Sequence, residues 1–264
     1  MHQSQINNLL YWQFANWQRP GLAHAIFGRH GGISPAPFAS LNLSSAVRDE
    51  AAHYEENRRR AYGVLGRTVD TLVHAHLVHG AEVAQVGTAD HGRAMPRVDG
   101  LITNEIGCGL TMNYADCAPI LVYDPQHHAI GLGHAGWGGT VADVPGALVR
   151  AMQAAFGSKP EALLGAIGPC ISAAVYEVDE PVISAVRRAF PDHTAELLIP
   201  QAGGPRPHFD LRRANQLNFA RVGVQDVVTA PFCTAQNNDL FFSHRAELGQ
   251  TGRFGVIVTL EKRT

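Results

Sequence analysis

The sequence predicts an α/β fold, a single three-layer domain over residues 1–264 with helices around a mixed β-sheet. Three observations predict it. Short apolar runs bounded by Gly, Pro, Asp or Asn alternate with stretches whose apolar residues recur at three and four. No low-complexity linker or internal repeat divides the chain, and 264 residues can share a sizeable core. The close succession of runs from Gly109 to Gly133, with a tight Asp124-Pro125-Gln126 turn, reads as an antiparallel hairpin, which makes the sheet mixed.

In order, an extended run at 23–27 is followed by a helix from about Asp49 to Leu65. Further extended runs fall at 71–77, 82–86, 109–113, 119–123 and 129–133. Val144, Ala147, Leu148, Ala151, Met152 and Ala155 share one face of an amphipathic helix beginning near Asp143. A strand at 162–167 precedes a second such helix, built on Val182, Ala185, Val186, Ala189 and Phe190 and started by Asp179 and Pro181. A helix at 211–222 and strands at 227–230 and 254–260 complete the order.

Charges nearly cancel, 21 Lys and Arg against 23 Asp and Glu, so the basic footprint of a nucleic-acid binder is missing. The first ten residues lack the pattern of a secretory signal, and no apolar stretch reaches membrane-spanning length, so no membrane partner is expected. Four cysteines, at 108, 117, 170 and 233, do not form a disulfide scaffold, which suits a reducing cytoplasm. Of the 14 histidines, His53, His127 and His128 read as solvated surface.

Three side chains stand out at the ends of apolar runs: His79, Cys117 and His134. Cys117 precedes the first strand of the hairpin and His134 follows the second, so the open end brings them together. Two imidazoles and a thiolate suit zinc, and three ligands rather than four leave the open position of a catalytic site. Alone, Cys117 also reads as a small buried hydrophobe. His74 and His76 share a strand face and read as half-buried sheet residues. The glycine-rich stretch 131–140, with Gly136, Gly138 and Gly139, reads as a loop before a helix whose amides can receive an anion, or as a tight turn. Cys170 reads as part of a turn, and Arg29 and Arg245 as anion clamps or surface charges.

Nearly the whole chain resembles the laccase-domain, or YfiH-like, family, whose members are named variously for polyphenol oxidation, purine nucleoside phosphorolysis and peptidoglycan editing. The resemblance is carried by Phe27-Gly28-Arg29-His30-Gly31-Gly32-Ile33-Ser34, Ser40-Leu41-Asn42-Leu43, Val78-His79-Gly80 and Asp99-Gly100-Leu101-Ile102-Thr103. It continues in Ala115-Asp116-Cys117-Ala118-Pro119, His134-Ala135-Gly136-Trp137, Ile167-Gly168-Pro169-Cys170, Cys233-Thr234, Phe241-Phe242-Ser243-His244-Arg245 and Thr251-Gly252-Arg253.

The resemblance implies zinc on His79, Cys117 and His134, with a purine nucleoside and phosphate as small-molecule partners. The activities it implies are deamination of adenosine to inosine and phosphorolysis of adenosine, inosine or methylthioadenosine. A zinc-bound water, with a pKa near ~7, would attack the purine in deamination. Arg29 and Asn42 match motifs placed near the substrate, and Asp116 is expected to carry a proton or to orient a ligand. Two positions depart from the family's usual wording: Gly138 replaces an Arg, and Leu77 replaces a Gln. The lost guanidinium weighs against phosphorolysis more than against deamination. A copper-dependent phenol oxidase, a cysteine hydrolase using Cys117 and His134, and a non-catalytic purine sensor are the alternatives.

Overall fold

The computed structural model of the chain describes residues 1–201 and 204–263. In chain order its elements are β1 (His2–Ile6), β2 (Leu9–Gln13), β3 (Leu22–Phe27), α1 (Ala51–Gly63), β4 (Leu72–Ala75), β5 (Val83–Gln85), β6 (Ala94–Met95), β7 (Gly100–Thr103) and β8 (Gly109–Tyr114). There follow β9 (Ala118–Asp124), β10 (Ala129–Ala135), α2 (Trp137–Val141), α3 (Val144–Phe156), β11 (Leu164–Ile167), α4 (Glu180–Ala189) and α5 (Thr194–Leu197). The last are β12 (Leu198–Ile199), β13 (His208–Phe209), α6 (Leu211–Arg221), β14 (Asp226–Thr229) and β15 (Phe254–Leu260).

The class is α/β and the strand pairing is mixed, as the sequence predicts, but the strands are shared between two large sheets. Seven run in the order β1-β2-β3-β15-β8-β4-β6 and six in the order β14-β11-β9-β10-β7-β5, with β12 and β13 forming a small pair. Between the large sheets, Leu110, Met112 and Tyr114 of β8 and Val256 and Val258 of β15 meet Leu121 and Tyr123 of β9 and Ile130 and Leu132 of β10. The alternate residues of β9, Ala118, Ile120 and Val122, face α3, α4 and α6 on the other side. Helix α1 covers the far face of the seven-stranded sheet through Ala61 and Tyr62. Helices thus cover the outer faces of the paired sheets. Strands β8 and β9 are buried along nearly their whole length, which is how a strand covered on both faces reads.

The hairpin forms as expected from β9 and β10, with His134 opposite Pro119 and Ala135 opposite Ala118. Strand β8 is not part of it: the chain crosses between sheets at 115–117, where Asp116 adopts a φ of 81°. The glycine-rich stretch is not a loop. Gly131 and Gly133 lie in β10, and Gly138 and Gly139 lie in α2. A Cβ on Gly133 would sit 2.7 Å from Val144 Cγ1 and 2.8 Å from Leu148 Cδ1, so that glycine lets α3 lie directly on the strand. Helix α3 starts where expected, Asp143 Oδ1 accepting from the Gly146 amide at 3.0 Å.

Candidate metal centre

The open end of the hairpin lies where three segments meet. Cys117 comes from the β8–β9 crossover, His134 from the end of β10, and His79 from the loop between β4 and β5. One ligand atom from each can be chosen so that all lie within 4.8 Å of one another. The two imidazole rings meet edge to face at 5.1 Å, and Tyr114 stacks on His134 at 5.4 Å while its hydroxyl donates to Gly133 O.

Burial opposes ionisation of the Cys117 thiol, but the facing His134 ring, and then His79, outweigh it and draw the thiol below its usual range. The same contact raises His134 against its own burial, with Asp99 helping. Thiolate is the form of cysteine that binds metal.

Asp99, immediately before β7, is fully buried beside this cluster. Its Oδ1 accepts from the His79 amide at 3.0 Å, and its Oδ2 from the amides of Val78 at 3.2 Å and Gly80 at 2.8 Å. His134 Nδ1 lies 3.4 Å from Oδ1 and has no closer partner. Burial would raise the Asp99 carboxyl, but His134 and the amides of Gly80 and Val78 hold it below the usual range. His79 itself sits at a φ of 62°, a conformation uncommon outside glycine and found at constrained sites.

Asp116 takes a different part from the one expected. Its carboxylate accepts from Thr234 Oγ1 at 2.6 Å, Ser243 Oγ at 2.7 Å and the Arg245 amide at 2.7 Å, and makes no hydrogen bond to His79, Cys117 or His134. The glycines after His134 serve close approach. A Cβ on Gly136 would lie 2.8 Å from Cys117 Sγ, one on Gly138 2.8 Å from His79 O, and one on Gly139 2.9 Å from His134 O.

Two expected substrate contacts are turned inward. Asn42 is completely buried, giving its amide to Ser44 O and Asp49 and receiving the Ser44 and Arg253 amides, so no polar atom remains for a ligand. Arg29 donates to Ala39 O, Asn238 O and Glu247 and lies 4.6 Å over the Phe242 ring. Arg245 reaches Val175 O and Glu177 O, with its guanidinium 5.1 Å over Tyr176. His74 is held neutral, burial pushing it down to about 4, and His76 lies beyond the end of β4.

Two residues of the neighbourhood carry no expected role in the sequence. Asp99 is one; Arg253 is the other, its guanidinium lowered by burial while the charges of Cys117, Asp116 and Glu247 pull it back up. Only the pairing of Gly133 with Gly100 shows that the residue before β7 must lie beside His134. Two surface hollows, one around Ile6, Arg59 and Val64 and one around Arg187, Pro191 and Leu198, include none of these side chains.

Residues 23–261 match a family described as multi-copper polyphenol oxidoreductase laccase. The chain is 36% identical over 246 residues to the purine nucleoside phosphorylase YlmD of Geobacillus stearothermophilus, which covers 89% of each protein. It is 33% identical over 251 residues to its namesake in Bacillus subtilis, covering 92% of this chain and 90% of that one. The crystal structure of YlmD from Geobacillus stearothermophilus superposes with a TM-score of 0.91 over 98% of both chains at 32% identity. The Bacillus licheniformis hypothetical protein YfiH gives 0.90 over 97% of both at 28% identity. No helix among the described residues is long and apolar enough to cross a membrane.

Proposed function

Because the chain belongs to the multi-copper polyphenol oxidoreductase laccase family, we propose that it is a zinc-dependent purine nucleoside enzyme formed as one domain. The observation that carries this is the convergence of His79, Cys117 and His134. Donors around a tetrahedral zinc, each ~2.0–2.3 Å from it, lie roughly 3.3–3.8 Å apart. An outer separation of 4.8 Å therefore closes with small side-chain rotations. The close approach at Gly136 keeps side-chain bulk off Cys117 and His79. Two His and one Cys also suit copper, but multi-copper chemistry needs further ligand sets, and among the described residues this is one cluster.

Zinc held by His79, Cys117 and His134 would supply Lewis acidity toward the substrate. Around it, Arg253, close to the charges of Cys117 and Asp116, is the cation we assign to phosphate. Trp137, 41% exposed directly after Gly136, offers a flat apolar face to a purine. Phosphorolysis of a purine nucleoside is the leading activity, in line with the names of the relatives, and deamination of adenosine is the second.

Mass spectrometry of adenosine and inosine incubated with and without phosphate separates them. Phosphorolysis yields free base and ribose 1-phosphate only when phosphate is present, whereas deamination yields inosine in both. Cys117→Ala is expected to lose zinc and turnover together, zinc affinity falling by more than ~100-fold. Full activity after metal removal would instead make Cys117 a nucleophile with His134 as its base. Stoichiometric copper in protein purified without added metal, with a strong thiolate charge-transfer band, would overturn the zinc assignment.

A further inference from the structure

We propose that Asp99 is the positioning residue of this centre, one carboxylate setting both histidine ligands; the inference rests on the metal reading above. A carboxylate offers about four lone-pair directions. Three are taken by hydrogen bonds, Oδ1 from the His79 amide and Oδ2 from the Val78 and Gly80 amides, and the fourth, on Oδ1, faces the otherwise unpartnered His134 Nδ1 at 3.4 Å. Three consecutive amides pointing at one acceptor fix the turn that holds His79 at its φ of 62°. His134 is fixed twice, its amide donating to the Asp99 carbonyl at 2.8 Å and its Nδ1 facing the Asp99 side chain.

A proton held on Nδ1 leaves the lone pair on Nε2, at the opposite edge of the ring, free for a metal. His134 Nδ1 is buried and has no other acceptor, so this carboxylate sets the tautomer, while Tyr114 and His79 pack against the ring. Asparagine cannot replace it. One oxygen would become an NH2, turning a donor toward N–H groups that are themselves donors.

Asp124 supplies a matched control at the other end of the same hairpin. It is equally buried, accepts from the Gln126 and His127 amides, and faces the His127 ring at 2.8 Å, yet it bonds to none of His79, Cys117 and His134.

The test is zinc affinity of the full chain, measured by competition with a chromophoric chelator, together with the cobalt(II) absorption spectrum. Asp99→Asn is expected to weaken zinc binding ~10–100-fold and to shift the cobalt bands. Asp124→Asn is expected to lose thermal stability while staying within about twofold of the parent in zinc affinity, because it touches no ligand. Parent-like zinc affinity in Asp99→Asn, or an equal loss in Asp124→Asn, overturns the inference. A parent chain that binds no zinc removes the metal reading and this one with it, an outcome separate from either. Should Asp99→Asn fail to fold, nitrogen-detected NMR of the zinc-loaded parent decides: a protonated Nδ1 and metal-shifted Nε2 on His134 are expected, and the reverse tautomer overturns the assignment.

Discussion

Asp99 and Asp116 are both buried acids near the cluster of His79, Cys117 and His134, and they do different things because of where their donors come from. Asp99 collects the amides of Val78, His79 and Gly80 and faces His134, so its partners are the ligand segments themselves. Asp116 collects Thr234, Ser243 and the Arg245 amide, from a segment more than a hundred residues away in sequence. It draws the end of the chain onto the crossover that carries Cys117. One acid acts on the ligands and the other on the frame that carries them. Adjacency in sequence to a ligand therefore says little about which carboxylate serves it.

The largest effect that would break this contrast is on Asp116. Replacing it by alanine leaves two hydroxyls and an amide without their charged acceptor, and hydrogen bonds to charged groups contribute about 1.5–3 kcal/mol each, less than additively. Asp116→Ala is expected to cost roughly 3–5 kcal/mol in chemical denaturation. Zinc affinity of the folded fraction should fall less than in Asp99→Asn. If Asp116→Ala keeps its stability and loses zinc instead, the two roles are reversed.

A second measurement separates frame from centre along the pH axis. His24 lies on β3, is 1% exposed, and receives the Phe14 amide on Nε2 at 2.8 Å, which requires a neutral ring. Burial lowers it from 6.5 to about 4. In this window the unfolded chain binds a proton that the folded chain refuses, so stability is fully present above 6.5 and is lost as pH falls toward 4. The loss attributable to His24 is roughly 3 kcal/mol at 1.36 kcal/mol per pKa unit. His24→Gln is expected to flatten the stability profile between these pH values by about that amount, and an unchanged slope would show that acid sensitivity arises elsewhere.

The clustering of His79, Cys117 and His134 was legible because each lies at the end of an apolar run, and a hairpin's open end must bring two of them together. The helix at α3 was legible from its spacing and its Asp143 start. Asp99 was not, because its role depends on the register that sets Gly100 against Gly133, and register follows from side-chain packing across the sheet. The division into two sheets was hidden for a related reason: the apolar strands β8 and β9 carry no mark saying which sheet each joins. Arg29 and Asn42 are a different case. Arginine and asparagine suit ligands in general, but here their donors are consumed by Ala39, Asn238, Glu247, Ser44 and Asp49. The glycines from 131 to 139 read as one loop because composition cannot distinguish glycine chosen for backbone freedom from glycine chosen for close approach.

Gly136 offers the finest cut between ligands and frame. Its φ of −72° is one that alanine adopts freely, so Gly136→Ala introduces no backbone strain and removes some freedom from the unfolded chain. The added methyl would nevertheless stand 2.8 Å from Cys117 Sγ and 3.6 Å from His79 Cδ2. Its cost must then fall on the thiolate's position, with the sheets left as they are. Expected is a loss of roughly tenfold in zinc affinity, about 1.4 kcal/mol, with metal-free stability within about 1 kcal/mol of the parent. Calorimetric unfolding without metal and chelator competition with it measure the two quantities on one sample. A variant that loses stability but keeps its zinc affinity would mean that Cys117 is held by the frame alone, and the division between the two acids would lose its physical basis.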